Sequence, residues 1–164
     1  MNEIYKYDIN DRRKQMKYYT ENELQNFRFE GAYIAETCAV NGIFEMILDN
    51  VTILPQNSCN RDIREMRANE LKLKIREPEI TAFVEEGYKV YDADGNLKEK
   101  KEDILIAAED QAAKLKELEG CEIYSIEQEK GVYTVSIDTE DHTFMIKVSG
   151  SADAEEWDRF LSKD

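Results

Sequence analysis

Apolar and polar residues alternate at period two over several short stretches of this chain. Leu71, Leu73 and Ile75 alternate with Lys72, Lys74 and Arg76, which predicts a half-buried strand. Phe29 to Val40 predicts another, with Ala32, Ile34, Cys38 and Val40 on one face and Glu36 interrupting it. Ile43 to Leu54 is its return strand, because Asn41-Gly42 suits the two positive-φ positions of a type I′ hairpin turn, and Pro55 ends it. Gln56 to Arg67 has no clean period and reads as a loop, with a helical turn from Arg61. Ile80–Val84, Tyr88–Tyr91 and Leu97–Lys101 continue as strands, the last two joined by a turn over Asp92–Asn96. Ile123–Gln128, Val132–Ile137 and Thr143–Val148 follow, joined by tight turns at Glu129–Gly131 and Asp138–Asp141.

Helical spacing is predicted in three places. Asp103 to Glu119 carries Ile104, Leu105, Ala108, Ala112, Leu115 and Leu118 as one apolar stripe, with Gly120 placed to end it. Thr20 and Glu23 fit a capping box before Leu24 and Phe27, so residues 1–27 read as a helical extension packed on a single domain of residues 28–164. Ser151 or Asp153 would cap a closing helix, with Asp153, Glu155 and Glu156 at its positive end and Trp157, Phe160 and Leu161 docking it. The expected class is therefore α+β: a curved, mostly antiparallel sheet, or a partly open barrel, with one long helix packed on it and a short C-terminal helix.

A faint echo runs through the chain at an offset of 89, where Gly31, Ile34, Gly42, Phe44 and Asp49 match Gly120, Ile123, Gly131, Tyr133 and Asp138. Hairpins of equal length need glycines in equal places, and that reading is preferred to a duplicated unit.

Charge changes the picture at the level of partners. The chain has 164 residues and a formal charge of −14, of which residues 102–164 carry net −11. An acidic surface repels phosphate backbones and argues against nucleic acid, although Tyr5, Tyr7, Tyr18 and Tyr19 are interleaved with Lys6, Arg12, Arg13, Lys14 and Lys17. The longest apolar run, Ile104–Ala108, is far shorter than a membrane span, and no apolar leader precedes the first helix. Three widely spaced cysteines fit a reducing compartment, so the expected location is the cytoplasm.

Candidate chemistry is sparse. Cys38, Cys59, Cys121 and His142 could make a zinc set but contain no C-x2-C knuckle, and His142 reads as a turn residue rather than half of a Cys–His dyad. Asp92, Asp94 and Asn96 imitate a calcium loop that fails at Leu97 and Asp103. No phosphate-binding glycine loop and no nucleophile elbow occurs, so no cofactor, metal or catalytic residue is expected. Residues 61–76 are net +3 in this acidic chain, and Asn57, Asn60, Arg61, Arg64 and Arg67 form a polar binding candidate. The acidic candidates are Asp138, Glu140, Asp141, Glu155 and Asp158. The functional expectation is a non-enzymatic protein-interaction module, of the inhibitor or immunity type, for a basic partner. The alternative is a small-molecule-binding protein with an apolar cavity lined by Phe44, Met46, Leu48, Phe83, Tyr133 and Phe144. An enzyme without a visible motif comes third.

Overall fold

The structure, a computed structural model, describes residues 16–163. The chain order is β1 (Tyr18–Glu21), a 3-10 turn (Leu24–Asn26), β2 (Phe27–Arg28), β3 (Tyr33–Cys38), β4 (Phe44–Asp49), β5 (Val51–Ile53), β6 (Met66–Ala68), β7 (Leu71–Arg76) and β8 (Glu79–Glu85). It continues with β9 (Tyr88–Tyr91), β10 (Leu97–Lys101), β11 (Ile104–Leu105), a 3-10 turn (Ala108–Asp110), α1 (Gln111–Glu117), β12 (Glu122–Glu129), β13 (Val132–Asp138), β14 (Thr143–Ser149) and β15 (Ala152–Trp157).

The fold is β, not α+β. Ten strands form one open antiparallel sheet in the order β1-β15-β7-β4-β3-β12-β13-β14-β8-β11; β2, β5 and β6 form a small second sheet, and β9 and β10 a separate hairpin. The long helix is absent: Ile104 and Leu105 pair with Glu85 and Val84 at the sheet edge, and only seven residues of the expected stretch are α-helical. The closing helix is a strand, because Asp153, Glu155 and Trp157 all turn inward at period two. The capping-box reading fails in the same way, since Thr20 lies in β1 and pairs with Glu155. The rest of the expected extension, residues 1–15, lies outside the described residues.

The echo at offset 89 is a structural repeat. Tyr33 faces Asp49 as Glu122 faces Asp138, and both hairpins skip one residue at the same place, Ala35 in β3 and Tyr124 in β12. Their turns match too: Asn41-Gly42 at φ 52° and 75°, Lys130-Gly131 at φ 51° and 77°. The skipped residue also corrects the reading of β3, because it shifts the phase so that Ile34 and Thr37 turn inward. Four backbone bonds join the two hairpins in reciprocal pairs. Gly31 N–H donates to Ile123 O (3.0 Å) as Gly120 N–H donates to Ile34 O (2.6 Å). Ile34 N–H donates to Cys121 O (3.0 Å) as Ile123 N–H donates to Ala32 O (2.7 Å).

Beyond these hairpins the equivalence continues at offset 73, with Leu71 facing Leu48 as Phe144 faces Ile137, and Ile75 facing Phe44 as Val148 faces Tyr133. Each repeat then gives its last strand to the other. β8 follows β7 after two residues yet pairs with β14, and β15 follows β14 after two residues yet pairs with β7. The two connections pass in contact, with Ser151 N–H donating to Arg76 O at 3.0 Å. Gly150 permits the crossing, since a Cβ there would stand 2.3 Å from Ile75 Cγ2 and 2.9 Å from the Arg76 carbonyl oxygen.

Candidate functional site

The residues expected to line an apolar cavity lie in the buried core. Phe44, Met46, Leu48, Phe83, Tyr133 and Phe144 all belong to one buried cluster, and of the six only Phe44 touches a described cleft, at its rim.

The polar loop is scaffold. Asn60 is buried; its amide nitrogen donates to the carbonyls of Ile53 (3.3 Å), Leu54 (3.2 Å) and Arg64 (3.1 Å), and its Oδ1 accepts the Asp62 amide (2.9 Å). Asn57 is buried and accepts the Cys59 amide at 2.9 Å. These bonds replace the secondary structure the segment lacks. Arg64 pairs with Asp62 at 3.3 Å, whereas Arg67 lies in β6, donates to Asn69 Oδ1 at 3.3 Å and exchanges backbone bonds with Leu161. Arg61 is exposed, and the three arginines do not share a helical turn. Among the acidic candidates, Asp138, Glu140 and Asp141 gather at the β13–β14 turn, beside a cleft of about 330 Å³ facing Glu86–Tyr88. Asp158 is exposed on the opposite half and accepts the Lys17 amide at 3.0 Å. Glu155 is fully buried, so it presents no charge to a partner. Asp92 closes the β9–β10 turn by accepting the Asp94 and Asn96 amides at 2.9 and 2.8 Å, as a hairpin turn requires. No group of histidine, cysteine and acidic side chains among the described residues could hold a metal.

A larger cleft than the one at the β13–β14 turn lies along β12. It measures about 720 Å³ and is lined by Leu24, Gln25, Phe27, Ile126 to Lys130, Val132, Thr134 and Lys147. Its floor is the face formed by β12 with Val132 and Thr134 of β13 and Lys147 of β14, and Leu24, Gln25 and Phe27 complete its lining. β12 pairs with β13 along its whole length, but with β3 only at Glu122. The tight turn makes Glu129 and Val132 a hydrogen-bonded pair, so alternation sends the amides and carbonyls of Ile126 and Gln128 away from β13, into the cleft.

The matching edge of β3 is closed. Thr37 is the equivalent of Ile126, and α1 and the turn after it cover it. Glu119 Oε2 accepts the Thr37 amide at 2.8 Å, and Lys116 Nζ donates to the Thr37 carbonyl oxygen. The Thr37 amide, followed by Lys116, holds the Glu119 carboxyl below its usual range. In the first repeat the corresponding stretch is a 3-10 turn and β2, and β2 leaves to pair with β5. The β12 edge therefore stays open while its twin is capped.

A second unusual cluster sits behind that wall. Asp153 and Glu155 are 4% and 0% exposed on β15. Tyr133 donates its hydroxyl to Asp153 Oδ1 (2.8 Å), and Thr20 donates to Glu155 Oε1 (2.9 Å). The remaining oxygens, Asp153 Oδ2 and Glu155 Oε2, are buried and have no hydrogen-bond partner among the described residues; a proton shared between the two carboxyls would satisfy both. Burial first, then the hydrogen bond and charge of Asp153, pushes Glu155 up to about 10; burial and Asp153 push the Tyr133 phenol up as well. The equivalent positions in the other half are Phe44, Ile80 and Phe83, so the acids are placed at one of two equivalent sites.

Sequence reasoning missed both features. Period-two burial of Asp153, Glu155 and Trp157 was visible but overridden by the helix-dipole reading of the same acids. The open edge has no local signal, because it depends on what packs beside β12. No protein-family model, no curated protein and no solved structure matches this chain.

Proposed function

We propose that the protein is a non-enzymatic interaction module that takes an extended segment of a partner as an added strand along β12. The observation that carries this reading is the open β12 edge facing a cleft of about 720 Å³, while the equivalent β3 edge is capped by side chains. Main-chain donors and acceptors supply the affinity in strand addition, and the flanking side-chain pockets supply the specificity. From Tyr124 to Glu129 the edge offers six residues, about 20 Å of ladder. Leu24, Phe27 and Ile126 suit apolar side chains at alternate positions of the guest. Glu127 and Glu129, in a chain of net charge −14, favour a guest carrying basic residues at the others.

The test is selection of peptides from a displayed random library on the full chain, followed by titration against Gln128→Pro. Gln128 is exposed and its amide faces the cleft, so proline there blocks the edge without removing a bond to β13. Enriched basic, alternately apolar peptides whose affinity falls at least tenfold in Gln128→Pro, with unchanged thermal unfolding, support the reading. Enriched peptides that bind the variant equally well, or no enrichment at all, overturn it.

A further inference from the structure

We propose that the Asp153–Glu155 pair is a proton-operated latch on one wall of the β12 cleft. This inference rests on the strand-addition reading for its purpose, but its structural content stands apart from it.

The pair is tied directly to the segment that builds the wall. Thr20 bonds Glu155, Asn22 N–H donates to the Asp153 carbonyl oxygen at 2.8 Å, and Asp153 N–H donates to Asn22 Oδ1 at 3.3 Å. The chain then runs through Glu23 into the 3-10 turn, whose Leu24 and Gln25 line the cleft. Thus β1 and the turn are held against β15 at its most polar point, and among the described residues β1 is an edge strand with no second neighbour.

Among the described residues, the groups that face the pair supply no counter-charge. From β1 comes the hydroxyl of Thr20, from the connector the Asn22 amide and the Glu23 carboxylate, from β13 the Tyr133 phenol, and from β7 the apolar Leu73 and Ile75. Glu23 is held by Ser58 and Asn26, which outweigh its burial and keep it ionised. With one shared proton the pair carries a single negative charge and all its oxygens are bonded. With none, two buried carboxylates repel each other beside a third, and the nearest low-cost escape is to part β1 and the turn from β15. The other half of the molecule has Ile80 and Phe83 at the corresponding positions and no such dependence.

The experiment is amide hydrogen exchange of the full chain between pH 6 and 9, reported as protection factors so that the intrinsic pH dependence of exchange is removed. The reporters are the Asn22 and Asn26 amides, and the reference is the Gly120 amide at the centre of the sheet. Opening that releases one proton grows about tenfold per pH unit. The expected result is protection at Asn22 and Asn26 that stays well below that of Gly120 and falls tenfold per unit, and flat reporters in Glu155→Gln, whose neutral amide keeps the bond to Asp153. Flat reporters in the wild type overturn the latch. Protection at Asn22 and Asn26 equal to that at Gly120 throughout also overturns it, because opening is then global. Equal slopes in Glu155→Gln and in Asp153→Asn assign the proton elsewhere and do the same. None of these readouts needs a partner, so the latch and the strand-addition reading fail separately. Where the selected peptides exist, their affinity falls from pH 6 to pH 9 in the wild type and not in Glu155→Gln.

Discussion

Gly150 shows how much a single missing atom decides. The exchange of β8 and β15 requires two connections to pass at van der Waals distance, and a methyl at residue 150 would collide with Ile75 and the Arg76 carbonyl oxygen. Gly150→Ala should cost about 1–3 kcal/mol in urea denaturation, the usual range for overpacking a site that cannot give way. A cost near zero would show that the crossing is looser than its geometry. Glu119 is the second instructive residue. Its carboxylate does for Thr37 what a neighbouring strand would do, and its lowered pKa means that this contribution is present above the usual carboxylate range and lost on acidification. Glu119→Ala should lower stability at neutral pH by about 1 kcal/mol, with the difference from wild type vanishing in acid. The sequence showed Glu119 only as the end of a helix, because its partner is 82 residues away.

At the scale of elements, the strands were legible and the helices were not. Leu71–Ile75, Val132–Ile137 and Thr143–Val148 alternate cleanly and lie in β7, β13 and β14. Residues 103–119 have helical spacing too, yet Ile104 and Leu105 join the edge of the sheet because β8 offers them backbone partners. Propensity is a weak preference that tertiary pairing overrides. The same competition turns residues 152–157 into β15, where the free edge of β7 lies two residues downstream of the crossing. The β9–β10 hairpin joins the two repeats and belongs to neither. Cutting the chain within Asp92–Asn96 should therefore leave the two pieces associated on a sizing column, because each holds a strand of the other's sheet. Separation of the pieces under native conditions would count against the exchange as a source of stability.

For the molecule as a whole, one buried proton governs the pH dependence. Glu155 binds a proton in the folded chain up to about pH 10 and releases it near its ordinary value when unfolded. Its contribution to stability is complete below about 4.5 and is lost as pH rises toward 10. Denaturation of the wild type should show stability falling by about 1.4 kcal/mol per pH unit from pH 6 to 9, and Glu155→Gln should flatten the curve. A wild-type curve flat over that range would show the pair to be ionised in the folded state.

Alternation, turn chemistry and glycine placement are properties of neighbouring residues, so the sequence by itself determined the hairpins and their turns, and showed the echo at offset 89 without deciding that it is a repeat. The phase of β3, the identity of β11 and β15 as strands, the exchange between halves, the open side of β12 and the burial of Asp153 against Glu155 depend on which distant backbone lies alongside. Only the tertiary structure decided those, because a strand edge is open or closed, and a carboxyl charged or neutral, according to neighbours that the local sequence does not contain.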